Sequence, residues 1–68
     1  MSVEFETVLM DALSQARYEF PHYRFQTESI EGDFCTIQVW FAGNVHVCRL
    51  HADLGKSAFI ESVRSIEW

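Results

Sequence analysis

Proline occurs once in this chain and glycine three times, so no Pro-rich or Gly-rich linker divides it. Cysteine occurs twice, at Cys35 and Cys48, too few for a disulfide framework or a four-cysteine zinc site. Basic side chains number five against ten acidic ones, a net charge of -5. On average such a chain repels nucleic-acid phosphates and anionic membranes. No apolar run approaches the roughly 18 residues that a spanning helix needs. The first six residues, Met1 to Glu6, carry two glutamates and no basic region, unlike a signal peptide. These absences lead to the expectation of a soluble cytoplasmic chain with reduced thiols, no membrane and no cofactor.

What is present suits one compact core. The 68 residues make a single domain, and a domain of that size buries only about 60% of its unfolded surface. Hydrophobic residues make up 49% and aromatics 15%, which is too apolar for a disordered chain. The aromatic surplus also leaves side chains to spare for a partner or a homodimer.

Phe5, Val8, Leu9, Ala12, Leu13 and Ala16 fall at helical spacing, which predicts a helix over Ser2 to Arg17 with Ser2 as its N-cap. Pro21 bars its continuation. Tyr23 to Ile30 alternates as a half-buried strand does, and Glu31-Gly32-Asp33 reads as a turn. Phe34 to Phe41, rich in β-branched and aromatic residues, is a second strand. Gly43-Asn44 supplies the next turn and Val45 to His51 the third strand. Ser57 caps a last helix from Ala58 to about Glu67, with a short strand over Val63 to Trp68 as the alternative for its end. The expected class is α+β, in the order α-β-β-β-α: a three-stranded antiparallel sheet with both helices on one face. The other face then meets solvent or a partner.

Turn lengths set which side chains face out. A loop at Gly43-Asn44 pairs Phe41 with His46, Val39 with Cys48 and Ile37 with Leu50. A three-residue first loop turns Tyr23, Phe25 and Thr27 inward and spares the core the charge of Arg24. The open face then carries Arg24, Gln26, Glu28, Phe34, Thr36, Gln38, Trp40, Val47, Arg49 and His51. Trp40 sits across from Arg24 and Val47, with Arg49 one step away, a composition favoured at binding hot spots. A Trp packed beneath a loop, or against Arg stems, is the alternative.

No catalytic constellation stands out. His46, Cys48 and His51 lie within six residues, yet His51 points away from the other two on a strand. With Cys35 pairing near Ala52, two residue pairs from Cys48, neither a metal site nor a disulfide follows. Gly55-Lys56-Ser57 resembles the end of a phosphate-binding loop, but Leu50 occupies the position where that loop needs its first glycine. Cys48 with a histidine, or Ser57 with His51, lacks a third group, so no enzyme is expected.

Leu13-Ser14-Gln15-Ala16-Arg17 followed by Pro21-His22-Tyr23 resembles the end of the first helix and the start of the first strand in double-stranded-RNA-binding domains. Gly55-Lys56-Ser57-Ala58 falls where that family carries its lysine-rich phosphate motif. The resemblance implies the α-β-β-β-α order and, if the whole pattern were kept, RNA binding through phosphates and 2′-hydroxyls. Here only Lys56 matches the lysine cluster, with Phe59 and Ile60 following. The acidic Glu31-Gly32-Asp33 stands in place of the family's histidine-bearing loop. That pattern implies a degenerate copy reused for protein contacts.

The resulting expectation is a small acidic protein-binding domain, an inhibitor or adaptor. Phage anti-defence proteins such as anti-CRISPRs, which occupy a basic surface of a larger target, are the analogy. Its contact surface is either the open face around Trp40 with Arg24, Gln38 and Arg49, or an acidic set, Glu4, Glu6, Asp11, Glu28, Glu31 and Asp33, that mimics phosphates. The alternative is an RNA-binding module that gathers Arg17, His22, Lys56 and Arg64 into a basic patch. A homodimer through the third strand or the open sheet face is compatible with both.

Overall fold

The computed structural model describes residues 3–68. Helix α1 spans Val3–Glu19, strands β1, β2 and β3 span Arg24–Glu31, Phe34–Phe41 and Asn44–His51, and helix α2 spans Gly55–Arg64. The strands form one antiparallel sheet in the order β1-β2-β3. This is the α-β-β-β-α class that the hydrophobic spacing predicts. The expected Ser2 cap lies outside the described residues.

One core binds the two layers. Phe5, Leu9, Ala12 and Ala16 come from α1, and Phe59, Ile60 and Val63 from α2. They meet Phe25, Cys35, Ile37, Val39, Cys48 and Leu50 of the sheet. Ala12 and Ala16 are small and fully buried, which lets α1 approach its neighbours closely. Burial of these apolar side chains holds the domain together, at about 25 cal/mol per Å² removed from water.

The element ends differ from the sequence expectation in three places. Helix α1 runs two residues past Arg17, because Pro21 disfavours helical backbone only at Phe20, not at Tyr18 or Glu19. Helix α2 begins at Gly55, so Ser57 lies inside its first turn instead of capping it. Leu54 occupies the cap position with no side-chain hydrogen bond. The helix stops at Arg64, and Ile66 to Trp68 are irregular, neither helix nor strand.

The hairpins depart in an instructive way. The second turn is Ala42-Gly43, with φ of 51° and 82°, and Phe41 pairs with Asn44. A two-residue hairpin turn of this kind needs positive φ at both central positions and favours glycine at the second, where Gly43 stands. The expected Gly43-Asn44 loop is therefore off by one along the turn, and every pairing between β2 and β3 shifts by two. Val39 faces His46, Ile37 faces Cys48 and Cys35 faces Leu50. An even shift leaves each side chain on its expected face.

The first turn is Gly32-Asp33, two residues and not three, with Glu31 paired to Phe34. Among its central residues only Gly32 has positive φ. A β-bulge at Glu28, between Thr27 and Ser29, then adds the extra residue that the longer loop was expected to supply. Beyond the bulge Phe25 faces Val39 and Thr27 faces Ile37, which keeps Arg24 out of the core.

Candidate functional site

The sheet face opposite the helices is built from four cross-strand rows. Arg24, Trp40 and Val45 form the first, and Gln26, Gln38 and Val47 the second. Ser29, Thr36 and Arg49 form the third, and Glu31, Phe34 and His51 the last. Alternation along β2 and β3 places them there, and on β1 the bulge at Glu28 sets Ser29 opposite Thr36, where Glu28 was expected.

Trp40 is 36% exposed, and Val45 and Val47 are each 48% exposed. Together they make an apolar corner on a polar face. The indole N–H of Trp40 donates to Gln38 Oε1 at 3.3 Å, which holds the ring along its own strand. Arg24 lies directly across from Trp40, as the sequence predicts. Val47, expected across from Trp40, instead pairs with Gln38, and Val45 takes its place. Arg49 is likewise displaced: it pairs with Thr36, two rows from Trp40, and its guanidinium stands 5.5 Å over the ring of Phe34. The two-residue register shift accounts for both moves.

The acidic candidates occupy the other end. Glu31 ends β1 in the fourth row, and Asp33 sits in the turn, where its backbone carbonyl accepts from the Ala52 N–H at 2.8 Å. Three same-face steps separate Trp40 from Phe34, about 20 Å along the strand. Trp40 and Glu31 therefore cannot belong to one small contact. The rest of the acidic set is divided between layers: Glu4, Glu6 and Asp11 lie on α1, and Asp11 is held by Lys56 at 2.9 Å.

The cations of the RNA-binding alternative are partly engaged. Lys56 pairs with Asp11, and Arg64 bridges Glu19 of α1, at 2.8 Å, and Glu61 of its own helix. Among the described residues, no group of three or more His, Cys, Asp or Glu is gathered for a metal ion. Cys35 and Cys48 are one row step apart on the core face, closer than the two steps expected, because Cys35 pairs with Leu50. Both are free and buried. Burial pushes both thiols above their ordinary value, partly offset at Cys35 by a hydrogen bond with Thr27.

Three surface features escape sequence reasoning. Met10 and Tyr18 are strongly exposed on the outer side of α1, although helical spacing alone marks them only as off the core face. Trp68 folds back onto the sheet end, its rings 5.4 Å from Tyr23 and 5.6 Å from Phe41, and its indole N–H donates to Tyr23 Oη at 2.9 Å. A groove of about 540 Å³ runs between β3 and α2, lined in part by Val47, Arg49, Leu54, Ala58 and Ser62. The edge position of β3 is expected from the two successive hairpins, but the groove depends on how α2 packs beside it, which composition does not reveal.

No family model matches this chain, and no curated protein or solved structure matches it. Among the described residues, no helix is long and apolar enough to cross a membrane.

Proposed function

We propose that this chain is a small acidic protein-binding domain that acts as an inhibitor or adaptor on a larger partner. The supporting observation is the corner formed by Trp40, Val45 and Val47 beside Arg24: a half-exposed indole on a rigid sheet, with an arginine directly across. Trp and Arg dominate binding energetics because they bring large contact area with few rotatable bonds, and a planar donor fork. A β-sheet presents them in one conformation, so little entropy is lost on contact. The Glu31 and Asp33 end is a second candidate contact for a basic partner.

The test is an affinity pull-down from cell lysate, split into nuclease-treated and untreated halves. We expect a specific protein to be retained in both halves and to be lost with Trp40→Ala. Truncating a hot-spot Trp costs about 2 kcal/mol or more, roughly a thirtyfold rise in Kd. Retention that survives Trp40→Ala but is lost when Glu31 and Asp33 are both changed to lysine moves the contact to the acidic end. Recovery that vanishes with nuclease would overturn the reading in favour of RNA binding.

A further inference from the structure

We infer that β3 is the interface of a homodimer, in which the free edge of one copy pairs antiparallel with the same edge of a second to give a continuous six-stranded sheet. The inference concerns the backbone edge of β3, although Val45 and Val47 also belong to the proposed binding corner.

The two sheet edges differ. On β1 the bulge at Glu28 breaks the ladder, and Glu28 and Glu31 add charge. These are the devices by which proteins protect an edge left in solution. Strand β3 has less: its one formal charge is Arg49, whose guanidinium lies over the Phe34 ring. It pairs with β2 over eight consecutive residues with no bulge and no proline, and Asn44 to His51 contains no carboxylate in a chain of net charge -5.

Its outward backbone groups can be assigned. The Ala52 N–H to Asp33 carbonyl bond marks that pair as a hydrogen-bonded one. By antiparallel alternation Leu50, Cys48, His46 and Asn44 also bond inward to β2. Val45, Val47, Arg49 and His51 therefore turn their N–H and C=O groups to the free edge. A second copy centred on Cys48 matches all four: Val45 meets His51 of the second copy, Val47 meets Arg49, and the symmetry repeats both pairs. Each such pair exchanges two N–H···O bonds. No like charges fall opposite each other, because each Arg49 lies against a valine.

The neighbouring helix leaves room. Leu54, Ala58 and Ser62 stand four residues apart and line the groove beside β3. Ala58 and Ser62 are small, and the Ser62 hydroxyl already donates to the Ala58 carbonyl at 3.0 Å. Two copies of this face can approach closely where the sheets join. Leu54, 62% exposed, supplies apolar surface for that contact, and Val45 and Val47 extend along the seam on the opposite face of the joined sheet.

Sedimentation equilibrium in reductant, from micromolar to millimolar chain, tests this. The expected result is a concentration-dependent species of twice the 7.9 kDa chain mass. Val47→Lys sets the introduced lysine against Arg49 of the other copy and is expected to raise the dimer Kd at least about tenfold. Adding Arg49→Glu to it restores an opposite-charge pair and should recover dimerisation. Circular dichroism confirms that each variant is folded. A monomer throughout the range, its β3 edge left for a strand of some other protein, overturns the inference. So does a dimer indifferent to Val47→Lys, or a double variant that fails to recover.

Discussion

Ala42 is the one non-glycine among the described residues with positive φ, at 51°. An L-residue with a Cβ in that region costs about 1–2 kcal/mol, whereas asparagine visits it routinely. Ala42→Asn should therefore stabilise the domain by about 1 kcal/mol and raise Tm by about 4–8 °C, read from a thermal melt. An unchanged or lower Tm would mean that the turn adopts another form in solution. The same turn shows where the residues mislead. Gly43-Asn44 looks like a turn pair from composition, yet Gly43 serves as the second central residue and Asn44 opens the strand. Because the error is even, Trp40, Gln38 and Arg49 keep their face, and the candidate face is legible from alternation alone. Their cross-strand partners are not. Partner identity depends on the count of residues in the turn, and single residues cannot fix that count.

Elements start and stop where local backbone demands it, and α2 is the sharpest case. Gly55 opens it at φ +75°, after a cap position held by Leu54. Nothing surrounds the place a Cβ would occupy at Gly55, so Gly55→Ala isolates the conformational term. We expect a loss of about 1–2 kcal/mol, measured by urea denaturation. The start of α2 escapes the sequence because Ser57 is a better cap by residue type, while the turn geometry favours glycine two positions earlier. The segment after α2 escapes it for a different reason. Trp68 is fixed by tertiary contacts with Tyr23, Phe41 and His46, which no local pattern encodes. Trp68→Ala removes those ring contacts and the hydrogen bond to Tyr23. It should lower stability by about 1–2 kcal/mol, less than a fully buried aromatic, because Trp68 stays partly exposed. A change within error would show that the aromatic cluster does not hold the sheet end closed.

At the scale of the molecule, the core is one cluster joining both layers, and two thiols sit inside it. Cys35 and Cys48 act there as small hydrophobes, which suits their place between the aliphatic rows of β2 and β3. Burial disfavours the thiolate, so each folded-state pKa lies above the ordinary thiol value, which holds for the unfolded chain. As pH rises past that value, the unfolded state releases these protons while the folded state keeps them. The folded state then binds more protons, and stability falls as pH rises. The contribution is fully present below about pH 8 and is lost progressively above pH 9. Urea denaturation at pH 7 and pH 10 should therefore show a weaker domain at the higher pH. The thiol share is read from the single variants Cys35→Ala and Cys48→Ala. Each should be less stable than the parent at pH 7 because of the lost volume, and each should lose less between the two pH values. A variant that loses as much as the parent would show that its thiol is open to water in solution. The core would then be looser around β2 and β3 than the fully buried Cys35, Ile37 and Leu50 indicate.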